Sequence, residues 1–219
     1  MEIYKLGDEK LDEASSCRLK ITDIRQGVKN PERVNVFVNG KYSFSLEISQ
    51  VVDFKIKAGQ EISEERLEEL KRASEFGKLY QRTLEWVLTR PRSSREIKDY
   101  LFRKVREKKL DEGYIEEIVQ KLKKKNYIND EAFSKWYVQN RFVKKGISKK
   151  RLKMELMKKG ISAEIIEESL NERNDEEEIL KIIEKKRGRY DDEKLIQYLC
   201  RQGFSYQLAQ NLVRDFGKD

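Results

Sequence analysis

The sequence predicts a mostly α protein: tandem three-helix repeats in an elongated array, preceded by a small N-terminal domain containing a β-hairpin. Three observations predict it. Apolar residues recur at helical spacing from about Ser74 onward. A ladder of capping residue, apolar residue, apolar residue and glycine returns along that stretch. Alternating apolar residues are confined to Cys17 through Glu47. Composition fits this architecture: of 219 residues, 37% are hydrophobic and 40% charged. That is too polar for one thick core and suits thin modules that each bury a single stripe. Disorder is excluded by the periodicity and by the presence of only two prolines.

In the N-terminal domain (residues 1–72), Val34, Val36 and Val38 alternate, and so do Tyr42, Phe44 and Leu46. Between them Asn39-Gly40 supplies a two-residue turn that tolerates positive φ, so a hairpin is expected. Ser49 to Ile62 reads as irregular, with a turn at Lys57-Ala58-Gly59. Ser63-Glu64-Glu65 then opens a helix running on through Leu67, Leu70 and Phe76.

The repeats are expected at 73–128, 129–173 and 174–219. Ser93, Ser148 and Asp191 each stand four residues before an apolar residue (Ile97, Leu152, Leu195), and four further on stand Leu101, Leu156 and Leu199. The second and third copies then read Gly160-Ile161-Ser162 and Gly203-Phe204-Ser205, a helix stop followed by a new cap. In the first copy Leu84, Val87 and Leu88 line helix one, Ser93 to Glu96 forms an S-x-x-E capping box, and Ile115, Ile118, Val119 and Leu122 line helix three. Its second helix runs longer, because Arg103 to Leu110 contains no glycine. In the second copy Asn129 or Asp130 caps a helix burying Phe133, Trp136, Tyr137 and Phe142-Val143. Leu152, Leu156 and Met157 then face inward, followed by Ile165, Ile166 and Leu170. The third copy offers Ile179, Ile182 and Ile183, then Leu195 and Leu199, then Leu208, Leu212 and Val213. Each stripe is too small to stand alone, so neighbours must share contacts.

Catalytic signatures are missing. Without histidine there is no histidine-based triad or metal site, and no glycine-rich phosphate loop occurs. Cys17 and Cys200 have no ligand spacing. Asp175 to Glu178 suits the positive end of a helix dipole better than a metal. The expectation is a protein that is not an enzyme and takes no cofactor or metal. No apolar run of membrane-spanning length and no secretion-signal core occur, so a cytoplasmic location is expected, with no membrane partner. No dimer-forming heptad is evident, so a monomer is expected.

The positive feature is charge. The net +8 divides into −1 over Met1–Arg72, +13 over Ala73–Gly160 and −4 over Ile161–Asp219. Arg90, Arg92, Arg95 and Lys98 surround the Ser93 junction; Lys144, Lys145, Lys149, Lys150, Arg151 and Lys153 surround the Ser148 junction. A helix N-terminus with free N–H groups, set among cations, suits a phosphate or an acidic protein surface. These ten residues are the expected contact set. Trp86, Trp136 and Tyr137 fall on apolar stripes and read as core, not as base-stacking platforms. No second helix carries a base-reading cluster, so DNA contact should be to the backbone, with little sequence specificity.

Three stretches resemble the RecX regulatory proteins: TRPRSSREIKDYL (Thr89 to Leu101), NYINDEAFSKWYVQNR (Asn126 to Arg141) and KKGISKKRLKMELMKKGIS (Lys144 to Ser162). The resemblance covers about Gly77 to Phe216, and the hairpin domain is similar to the N-terminal extension of longer members. Ile147 departs from it, since the family often has proline there. The resemblance implies a partner, the RecA recombinase filament on single- and double-stranded DNA. It also implies inhibition of the recombinase's ATPase and strand exchange, and so a restraint on recombination, DNA repair and the SOS response. The alternative is a general nucleic-acid-binding or transcription-regulating protein; a metal-dependent nuclease would need carboxylates drawn from distant positions.

Overall fold

The computed structural model describes residues 19–28 and 30–216, with the side chains of residues 142–145 outside the description. The expected start of the β region at Cys17, the inward Phe142-Val143 pair and the side chains of Lys144 and Lys145 therefore lie outside the described residues. The chain divides into two compact units, Met1–Tyr80 and Gln81–Asp219.

In the first unit, β1 (Leu19–Gln26), β2 (Arg33–Val38) and β3 (Lys41–Glu47) form an antiparallel meander, and β4 (Glu61–Ile62) adds to the free edge of β1, giving the order β3-β2-β1-β4. The β2–β3 hairpin pairs Val36 with Phe44 and Val34 with Leu46, and it turns through Asn39 (φ 48°) and Gly40 (φ 77°). Both turn residues need the left-handed region, which Asn and Gly enter at least cost. Ser49–Ile62 is more regular than expected. It holds α1 (Ile48–Asp53) as well as β4. A reciprocal capping box between Glu47 and Gln50 starts α1 directly off β3. Ile21, Val36, Phe44, Leu46, Ile56 and Leu70 close the core, the last of these supplied by α2 (Glu64–Leu88). That helix runs unbroken through the expected join at 72/73, since nothing in the sequence there stops it.

In the second unit the remaining helices are α3 (Ser94–Lys108), α4 (Gly113–Lys124), α5 (Asp130–Lys145), α6 (Lys149–Lys158), α7 (Ala163–Leu170), α8 (Asp175–Lys186), α9 (Asp192–Arg201) and α10 (Tyr206–Asp215). Ser93, Ser148, Ser162, Asp191 and Ser205 each accept a hydrogen bond from the N–H three residues on. Asn129, not Asp130, caps α5. Gly160 (φ 77°) and Gly203 (φ 95°) end α6 and α9 as expected, while α3 stops on a strained Lys109 (φ 54°).

Ile97, Leu101, Val105, Ile118, Val119 and Leu122 are buried in the first three-helix set. In the second, Phe133, Leu152, Leu156, Ile161, Ile166 and Leu170 pack together, with Trp136 and Tyr137 half-buried against them. Ile147 lies inside this cluster and is 2% exposed. Ile179, Ile183, Leu195, Leu199, Phe204 and Val213 form the third core. Two expected core residues are outside: Met157 is 57% and Leu88 63% exposed. Each follows a buried residue (Leu156, Val87) by one position, and a step of about 100° carries the side chain past the edge of a narrow stripe.

Candidate interface at the helix junctions

Successive three-helix sets interlock at the N-termini of their second helices. The Ser94 N–H donates to Asp130 Oδ1 at 2.7 Å, and the Lys149 N–H donates to Asp175 Oδ1 at 2.8 Å. In both cases the carboxylate opens the first helix of the following set, while the asparagine before it (Asn129, Asn174) caps that helix itself. The glycine stop of the following set also closes on this junction. A Cβ on Gly160 would lie 2.9 Å from Arg95 Cβ, and one on Gly203 would lie 2.6 Å from Ser148 Oγ and 3.0 Å from Arg151 Cβ. The Ser148 N–H donates to Gln202 O at 3.2 Å. At each of these junctions two N–H groups of the first turn are therefore taken, one by the serine cap and one by a neighbour's aspartate. Fewer N–H groups are left for a phosphate there than the sequence suggests, because a buried helix terminus needs partners and the next repeat supplies them.

Several expected contact residues are committed within the protein. Arg90 pairs with Glu96 at 3.1 Å and lies over the Trp136 ring at 5.6 Å. Arg92 stacks on Trp86 with its guanidinium carbon 3.5 Å from the ring centroid, and Trp86 in turn stacks on Tyr100 at 4.3 Å. Arg92 Nε also donates to Trp86 O at 3.1 Å. Burial, helped by repulsion from Arg90, lowers the Arg92 pKa. Arg151 Nη1 donates to Arg201 O at 2.6 Å, across the second junction. Lys98 pairs with Glu116 at 3.0 Å and Lys153 with Glu167, both on the surface.

Glu96 does not complete the expected capping box. Its carboxylate joins Arg90 to Lys159 of the next set. Burial acts to raise its pKa, but the hydrogen bonds and charges of Lys159 and Arg90 together hold it below the ordinary carboxylate range. Inside the second set, Glu155 accepts from Arg141 Nε (2.9 Å) and Nη2 (2.8 Å) and from Tyr137 Oη (2.8 Å). Arg141 lowers the Glu155 pKa against the effect of burial.

Three of the ten expected residues, Arg95, Lys149 and Lys150, have no ion-pair or side-chain hydrogen-bond partner among the described residues, and Arg95 and Lys150 are exposed. Lys149 and Lys150 line, with Lys153, Glu167, Leu170 and Asn171, an open cleft of about 440 Å³. The junction carboxylates Asp130 and Asp175 escaped sequence reasoning. Their signal was present, since Asn-Asp-Glu opens both sets, at 129–131 and at 174–176.

Together these features define a class: a tandem three-helix-repeat protein with a small antiparallel sheet domain ahead of it and unpaired cations on its second repeat. The comparisons carry this further. The family model for the regulatory protein RecX N-terminal domain matches residues 19–63, and that for the RecX second three-helix domain matches residues 129–170. The regulatory protein RecX of Listeria monocytogenes serotype 4b is 33% identical over 123 residues, 56% of this chain and 44% of its own. That of Bacillus subtilis is 33% identical over 118 residues, 54% and 43%. The matched region thus spans less than half the length of these relatives. A crystal structure of regulatory protein RecX superposes with a TM-score of 0.66 at 24% identity, over 90% of this chain and 99% of that one. RecX from Lactobacillus salivarius gives 0.52 at 25% identity, over 66% and 97%. The chain is thus similar to the RecX regulatory proteins in sequence over these segments and in fold along most of its length.

Proposed function

We propose that the chain regulates the RecA recombinase by binding its filament on DNA, inhibiting ATP hydrolysis and strand exchange and so restraining recombination, DNA repair and the SOS response. It acts as a cytoplasmic monomer and catalyses no reaction itself. The likeness to RecX regulatory proteins together with one surface feature carries the reading: Lys149, Lys150 and Arg95 have no ion pair among the described residues, while Arg90, Arg92 and Arg151 beside them are engaged within the protein. They would meet phosphate or acidic protein surface, with Lys98 and Lys153 recruited from exposed ion pairs of little net worth. Lys144 and Lys145 belong to the same basic run. Arg90, Arg92 and Arg151 serve the surface indirectly, by holding the junctions in shape. The reading keeps the repeat limits at 73–128, 129–173 and 174–219.

The test is the DNA-dependent ATPase and strand-exchange activity of a recombinase titrated with the purified chain. Inhibition below one chain per recombinase subunit is expected. Unchanged rates at saturating chain overturn the proposal. Selective binding to a duplex sequence without recombinase would instead support a transcriptional role.

A further inference from the structure

We propose that α3 and α6 present equivalent docking stations for a protein partner that itself repeats, each partner subunit offering acidic groups around an apolar recess. The proposal rests on the regulatory reading above and assigns these two helix faces to the filament's protein component and not to its DNA.

The helices align on their caps, Ser93 and Ser148, and on their buried pairs, Ile97/Leu101 and Leu152/Leu156. In that alignment the residue after the second member of the pair is Phe102 in α3 and Met157 in α6, 44% and 57% exposed. A cation follows each, Arg103 and Lys158, and another stands two residues after each cap, Arg95 and Lys150. Arg95, Lys150 and Lys158 have no ion pair among the described residues. On α6, Met154 (51% exposed) adds to the apolar patch, while the one carboxylate of that helix, Glu155, is turned away to Arg141 and Tyr137. The α3 face is less apolar, with Asp99 at the position of Met154.

Isolated exposed apolar residues are ordinary. The same repeat position exposed twice and flanked by cations each time is not. A phosphate backbone would engage the cations and gain nothing from the thioethers of Met154 and Met157. Methionine suits an adaptable protein contact, and the cations select an acidic rim. The partner repeats because the stations do. The contacts that set α3 against the second three-helix set recur between α6 and the third, with Asp130 answered by Asp175 and Gly160 by Gly203. The third set breaks the pattern, having Glu193 at the Arg95 position and half-buried Cys200 at the Phe102 position. Two stations are thus available.

The full chain would be tested for binding to a recombinase filament assembled on single-stranded DNA, and separately to the same DNA bare. Met157→Ser and Phe102→Ser should each weaken filament binding about tenfold, with bare-DNA binding within about twofold of the parent. Met157→Leu and Phe102→Leu should bind like the parent. Serine variants that hold the filament as tightly as the parent overturn the proposal, as does a parallel loss on bare DNA, which would assign the face to nucleic acid. A parent chain that ignores the filament overturns the regulatory reading itself. Should Phe102→Ser melt early, the Met157 pair decides.

Discussion

Replacing Asp175 with alanine should loosen α6, a helix to which Asp175 does not belong. Its Oδ1 accepts from the half-buried Lys149 N–H at 2.8 Å. A hydrogen bond to a charged group is worth roughly 1.5–3 kcal/mol net. The lower part of that range applies, because Ser148 still caps the Arg151 N–H and water can reach the vacated amide. A loss of about 1.5–2 kcal/mol follows, and at about 2–4 °C per kcal/mol the melting temperature should fall by about 3–8 °C. Asp175 also opens α8, so the control is Glu176→Ala, an exposed acid in the same first turn, which should cost roughly 0.3–1 kcal/mol through the dipole alone. Asp175→Asn, which retains an acceptor oxygen, should fall between the two. The specific assay is amide exchange: protection at Lys149 should drop about tenfold, the equivalent of about 1.4 kcal/mol. A loss no larger than that of Glu176→Ala, with exchange at Lys149 unchanged, would refute the interlock as an energetic link.

Three other outcomes are expected. The Glu96 pKa is lowered in the fold, so its contribution is fully present above the unfolded value of about 4.3 and lost as pH falls through the folded value; Glu96→Gln should flatten the acid limb of a plot of melting temperature against pH, and an unchanged limb would refute this. Lys149→Glu with Lys150→Glu should weaken filament binding and make it less dependent on salt while leaving the melt intact, whereas Arg92→Glu should cost about 2 kcal/mol by breaking the Trp86 stack. Equal effects of the two on stability would contradict the division between unused and committed cations. Gly160→Ala should cost about 1–2 kcal/mol in denaturant unfolding from its φ of 77° alone, and more from the approach to Arg95; a cost below about 0.5 kcal/mol would show that the junction yields.

The elements written in local pattern were legible. Alternation with Asn39-Gly40 marked the hairpin, and the serines, Asp191 and the two glycines marked where the helices of the repeats begin and end. The parts that were not legible depend on partners distant in sequence. β4 is two residues long and exists because β1 has a free edge, so it carries no period of its own. The arginines read as available charge because spacing reveals a cation and not what it touches: Glu96 for Arg90, the Trp86 face for Arg92, the Arg201 carbonyl for Arg151. Asp130 and Asp175 bond across 36 and 26 residues, and only the recurrence of Asn-Asp-Glu hinted that two adjacent polar residues have separate tasks. Met157 was misplaced by one helical step, which in a ten-residue helix with two buried leucines separates core from solvent.

The direction of the interlock has a consequence for biosynthesis. Each junction is closed by an aspartate and a glycine turn from further along the chain. On the ribosome, α3 emerges before Asp130 and Gly160 exist, and α6 before Asp175 and Gly203. The nascent repeats are thus finished from behind, each left with an open second helix until its successor has been translated.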